Sequence, residues 1–141
     1  GAAAAINAAP EIPEVDAIVA DSAFATLTNI ASNSITRFTG LPKYPYGPLS
    51  VLFAGWMVGR DVGDNRPVDA IGTLRVPVLV IQGDADDIAY PDDDGRALAA
   101  AAPPGSRLWL APGAHHVGAS RTLPEEYEAR VLGFLASLGD S

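Results

Sequence analysis

The run Val76-Pro77-Val78-Leu79-Val80-Ile81 is apolar at every position and largely β-branched. A strand with one wet face alternates apolar and polar residues. A run with no polar position reads instead as a strand covered on both faces, the condition met inside a parallel sheet. Val15 to Ala20, ending at Asp21-Ser22, reads as a second buried strand, and Ser106-Arg107-Leu108-Trp109-Leu110 as a third. The segments around them are helical in pattern. Gly1 to about Ala9 is Ala-rich and is closed by Pro10. Ala23 to Arg37 carries an apolar stripe of Phe24, Leu27, Ile30, Ile35 and Phe38. Pro67 to Leu74 reads as a helical turn leading into a strand. Helices from Pro91 to Ala102 and from Pro124 to Leu138 both open on Pro and acidic residues, which suit the first turn and the helix dipole. Tyr127, Val131, Phe134, Leu135 and Leu138 form the expected inner side of the last one. Gly40 to Pro48 holds three prolines and two glycines and is expected to be irregular, with a short apolar helix from Leu49 to Val58 after it. Strands alternating with helices imply right-handed crossovers. The expected class is α/β, a parallel three-layer arrangement with helices on both faces of the sheet.

Composition narrows the function. With 141 residues, 48% hydrophobic and 18% charged, the chain can bury a real core. A net charge of −8 with nine Lys and Arg argues against a nucleic-acid partner, which needs a basic patch. The absence of Cys excludes disulfides, thiolate metal sites and a Cys nucleophile. No apolar run reaches the roughly 18 residues of a membrane span. Localisation cannot be read from the residues.

In open parallel sheets, ligands bind beyond the carboxyl ends of the strands. Three polar groups fall there: Asp21, the stretch Gly83-Asp84-Ala85-Asp86-Asp87, and Gly113-Ala114-His115-His116-Val117-Gly118. An acid beyond one strand and a histidine beyond the next is the latter part of a Ser…Asp…His order. A serine hydroxyl is a poor nucleophile until a histidine takes its proton, and the histidine needs a carboxylate to fix its tautomer. Ser22 lacks an elbow and is not read as that serine. Asp84 and Asp87 are read as turn caps, and Asp92, Asp93 and Asp94 as helix-start residues. A calcium loop starting at Asp84 fails, because Ala89 and Gly95 stand where Gly and Glu are required.

These motifs resemble the α/β-hydrolase family over almost the whole chain, in the style of its serine-aminopeptidase-like and dienelactone-hydrolase-like branches. Val78 to Pro91 is similar to the family's acid strand and loop: an apolar run, then Gly-x-x-Asp, then Pro. Pro112-Gly113-Ala114-His115-His116 is similar to its histidine loop, and Val19 to Phe24 to the strand following the elbow helix. The family's Gly-x-Ser-x-Gly elbow would end at Gly1, with the Ala-rich stretch as the helix behind it. The resemblance implies the C-terminal portion of the fold, starting just after the nucleophile, with Asp86 as triad acid and His116 as triad base. His115 stands where the family has a second Gly. The nucleophile and the backbone N–H groups of the oxyanion hole would lie in sequence preceding Gly1, the missing N-terminal half of the same fold.

The implied activity is hydrolysis of a small ester or amide by acyl transfer to water, with neither cofactor nor metal. Residues 24–69 sit where this family inserts a cap. There Tyr44, Tyr46, Phe53, Trp56 and Met57 either line an apolar substrate pocket or pack the cap onto the core. Two other readings stay open: a non-catalytic hydrolase-like fragment or binding module, and a dehalogenase-type relative with an Asp nucleophile. The first strand, deprived of the neighbour it would have in a full sheet, is expected to show an open edge able to recruit another chain.

Overall fold

The computed structural model describes residues 1–139. At its centre stands β2 (Val78–Gly83), every residue of which is buried. β1 (Ile18–Asp21) flanks it on one side and β3 (Arg107–Ala111) on the other, both parallel to it. Gly83 lies opposite Ala111, so β2 and β3 end together, and Asp21 lies opposite Ile81, so β1 ends two residues earlier at the same edge. Successive strand residues face opposite ways, and β2 divides accordingly. Val78 and Val80 point into one core with Ile6, Ile18, Ala20, Ile71 and Leu98. Leu79 and Ile81 point into the other with Trp109, Ala111 and Phe134.

Helices cover both faces. α1 (Ala2–Ala8) is followed by a single 3₁₀ turn at Ala9–Glu11. α2 (Leu27–Thr39) and α3 (Lys43–Val58) form an excursion between β1 and β2 that ends in α4 (Pro67–Ile71). A π-helical turn (Pro91–Arg96) runs straight into α5 (Ala97–Ala101) between β2 and β3. α6 (Ala119–Thr122) and α7 (Pro124–Ala136) close the chain. α1, α4 and α5 supply the first core, and α7 supplies the second through Phe134. Fully burying a side chain of that size contributes about 1.5–3 kcal/mol.

Several expectations need correction. α2 begins at Leu27 rather than Ala23, because Thr26 caps it by accepting the backbone N–H of Asn29. Phe38 is 72% exposed and lies off the apolar stripe, on the last turn of a helix that overruns the core. Leu135 is likewise exposed on α7. The prolines of 40–48 do not exclude a helix. α3 reaches back to Lys43, with extended backbone at Tyr44 breaking its start. Proline is tolerated in a first helical turn, where its missing N–H has no partner to lose. Tyr44 borders a cavity of about 350 Å³ with Asn29, Asn33, Lys43 and Asp93. Phe53, Trp56 and Met57 are 58%, 76% and 68% exposed, so they do not pack onto the core among the described residues.

Candidate functional site

The common C-terminal edge of the strands gathers the polar groups. The chain leaves β2 at Gly83 and turns through Asp86, whose side chain is fully buried. Four donors fill the carboxylate. Oδ1 accepts the backbone N–H groups of Ile88 at 2.9 Å and Ala89 at 3.0 Å. Oδ2 accepts Gln82 Nε2 at 2.7 Å and lies 2.9 Å from His116 Nδ1. A buried carboxylate with its lone pairs occupied in this way is held in one rotamer. Opposite such an acceptor, Nδ1 of the imidazole carries the proton and Nε2 keeps its lone pair. The His116 side chain is 30% exposed, against none for Asp86, so one partner is locked inside and the other reaches the surface.

His116 is therefore the histidine that meets Asp86. His115 is exposed, and its carbonyl accepts the N–H of Gly118.

Backbone contacts hold the two loops together. Asp84 N donates to Ala111 O, and Ala85 N to Ala114 O, both at 3.1 Å. Asp84 is more than a local turn cap, since its Oδ1 accepts the N–H of Gly113 across the two loops at 2.6 Å. At Gly83 the approach is closest. A Cβ placed there would stand 2.1 Å from the carbonyl oxygen of Ala114, so no other residue fits. Asp87 pairs with Arg37 of α2 rather than capping its turn.

Four supporting residues escape sequence reasoning. Gln82 is completely buried at the end of β2. Asp94 was expected to serve a helix start alongside Asp92 and Asp93, which are exposed; instead it is completely buried. Its two oxygens accept Ala25 N at 2.7 Å and Tyr90 N at 2.9 Å, joining the loop after β1 to the acid loop. Burial pushes its pKa up, against the opposing pull of those two hydrogen bonds. Asn33, buried on α2, donates to the Ile88 carbonyl at 2.8 Å. The fourth is Ser22. It is buried, and its hydroxyl donates to Asp21 at 3.0 Å while accepting Val117 N at 3.0 Å. With its proton given to Asp21, this serine is not activated by His116. Asp21 also meets Tyr127 of α7, whose phenol pKa is raised by burial and by that carboxylate.

Solved structures share this fold. The chain superposes on an esterase from Pyrococcus furiosus with a TM-score of 0.72 and 24% identity, over 97% of this chain and 50% of that one. It superposes on a monoacylglycerol lipase from Paleococcus ferrophilus at 0.65 and 22%, over 98% and 65%. An alpha/beta hydrolase enzyme from a Medee basin deep-sea metagenome gives 0.64 and 18%, over 96% and 62%. The fold is the C-terminal part of an α/β hydrolase. The chain spans half the length of the Pyrococcus esterase and 65% of the lipase. No family model and no curated protein matches the sequence. At these identities the likeness establishes the hydrolase fold, and activity has to be argued from the site. Among the described residues of this hydrolase fold, no cluster of His, Asp and Glu is arranged to hold a metal ion, and no helix is long and apolar enough to cross a membrane.

Proposed function

We propose that the chain is the C-terminal part of a serine hydrolase that cleaves a small ester or amide by acyl transfer to water. The observation that carries this reading is the 2.9 Å contact between the buried Asp86 carboxylate and Nδ1 of the part-exposed His116. In this role Asp86 fixes the imidazole tautomer and stabilises the imidazolium. Nε2 of His116 takes the proton of the attacking hydroxyl and then delivers it to the leaving group. The serine comes from sequence preceding Gly1, and α1 is the helix behind its elbow. The oxyanion donors come from the same upstream half. Residues 24–69 serve as the cap over the substrate. The esterase and lipase neighbours support the choice of an acyl substrate.

The test begins with the residues encoded just before Gly1. Gly-x-Ser-x there supports the reading, Asp in place of that Ser turns it to dehalogenase-type chemistry, and a start codon turns it to a non-catalytic module. The second step is an assay on a short p-nitrophenyl ester. The 141-residue chain is expected to be inactive and the longer polypeptide active. Turnover by the 141-residue chain that disappears in His116→Ala would place the nucleophile inside it and overturn the proposal.

A further inference from the structure

The Gln82 side chain carries no apolar contact function that an aliphatic residue could not serve better in a strand whose preceding residues are all Val, Leu and Ile. Its amide is used in full on the donor side. Nε2 donates one proton to Asp86 Oδ2 and the other to the carbonyl of Ala89, both at 2.7 Å. Ala89 in turn donates its own N–H to Asp86 Oδ1 at 3.0 Å. The orientation of the amide is decided by its neighbours: turned over, its oxygen would face two acceptors. Its Oε1 is buried without a partner among the described residues. Leaving an acceptor unpaired costs about 1–3 kcal/mol. Against that cost stand the two donated bonds, both to the turn that carries Asp86.

We infer that Gln82 is a positioning residue that aims Asp86 at His116. The inference rests on the proposed acid–base role of that pair. A carboxylate can rotate about its Cβ–Cγ bond and offer either oxygen to a histidine. Here the two backbone N–H groups hold Oδ1, and the Gln82 amide occupies one side of Oδ2. The remaining lone pair of Oδ2 is the one directed at Nδ1 of His116. By also holding the Ala89 carbonyl, Gln82 closes the 86–89 turn from inside, so the aim of the carboxylate and the shape of its loop are set by one amide. Gly95 makes room for it: a Cβ at that position would stand 2.9 Å from both Cβ and Cγ of Gln82.

The test reads the histidine ring directly, without requiring turnover. The chain contains two histidines, so ¹⁵N-histidine labelling gives a short spectrum that His116→Ala assigns. The expected result for the unmodified chain, or a longer polypeptide containing it, is one His116 tautomer with a protected Nδ1 proton. In Gln82→Met, which keeps length and apolar bulk, exchange of that proton should accelerate roughly tenfold, the scale of one lost hydrogen bond, and the tautomers should mix. A folded Gln82→Met with unchanged tautomer and exchange overturns the inference. Gly95→Ala is the second variant. It displaces Gln82 while leaving every donor in the chain, and should move the same signals in the same direction by less; if Gln82→Met does not fold, no movement in Gly95→Ala overturns the inference. Asp86→Asn separates the two levels of argument. If it leaves His116 unaltered, the acid–base pairing itself fails. If it alters His116 while Gln82→Met does not, only the role of Gln82 fails.

Discussion

The hydroxyl of Ser22 accepts the backbone N–H of Val117 at 3.0 Å, and both residues hold left-handed backbone, with φ of 53° and 52°. One lies at the end of β1 and the other directly after His116, so the first strand grips the histidine loop. Ser22→Ala removes the acceptor, strands the Val117 N–H and should cost about 1–3 kcal/mol of stability. Val117→Gly should have the opposite sign. A β-branched residue in the left-handed region stores about 1–3 kcal/mol of strain, and Val117 is half exposed, so little packing is lost. After the greater chain entropy of glycine, a net gain of about 1 kcal/mol is expected. Chemical denaturation of the two variants checks both signs.

In a longer polypeptide that has activity, Asp86→Asn should lower kcat by about 10⁴-fold, since an amide at this place favours the wrong imidazole tautomer. His115→Ala should cost far less, because His115 is exposed and His116 makes the contact with Asp86. Steady-state kinetics of the two variants is the check, and a reversed order would reassign the base to His115.

Asp94→Asn should destabilise the fold by about 1–3 kcal/mol, because its two oxygens each accept a different backbone N–H and an amide can satisfy only one. The pH dependence has a definite sign. Burial raises the pKa of Asp94 in the folded state above its unfolded value. Between those two values the native state binds more protons, so this group's contribution is fully present below the unfolded value, about 3.9, and is lost as pH rises through the folded one. The gap in stability between the unmodified chain and Asp94→Asn should therefore be widest in acid and narrow toward neutrality. Urea titrations at a series of pH values measure it.

The 141-residue chain by itself should self-associate through β1. In that strand Ile18 and Ser22 direct their N–H groups at β2, so the N–H of Val19 faces the open edge. Val19→Pro deletes that outward donor and leaves the pairing with β2 intact. Size-exclusion chromatography with light scattering should show the unmodified chain above monomer mass and Val19→Pro shifted toward it. If Trp56→Glu restores the monomer and Val19→Pro does not, the exposed apolar face of α3 is the sticky surface instead.

The layers of the fold were legible because they rest on local pattern. The uninterrupted apolar run around Val78 to Ile81 announced a strand buried on both sides, and β2 is that strand. The motifs at Gly83 and Gly113 marked the strand ends that meet. What pattern could not show were facts created only by tertiary contact. Asp92, Asp93 and Asp94 look alike in sequence, and nothing local says that the third alone turns inward to bind Ala25 and Tyr90. Gln82 did leave a trace, as a polar residue closing a strand with no other polar position. The apolar residues of α3 misled for the converse reason. Hydrophobicity invites burial, but α3 packs on α2 through Gly47 and Val51, and its opposite face is left uncovered among the described residues, with Trp56 76% exposed.

At Gly83 the backbone after β2 rests against the carbonyl of Ala114 with no space for a single methyl group. The gap between Asp86 and His116 is thus gauged by two main chains in direct contact, reinforced by the hydrogen bond from Gly113 to the Asp84 side chain. The same contact leaves no slack: an alanine at this one position would push the two loops apart and part the pair, with every polar group still present.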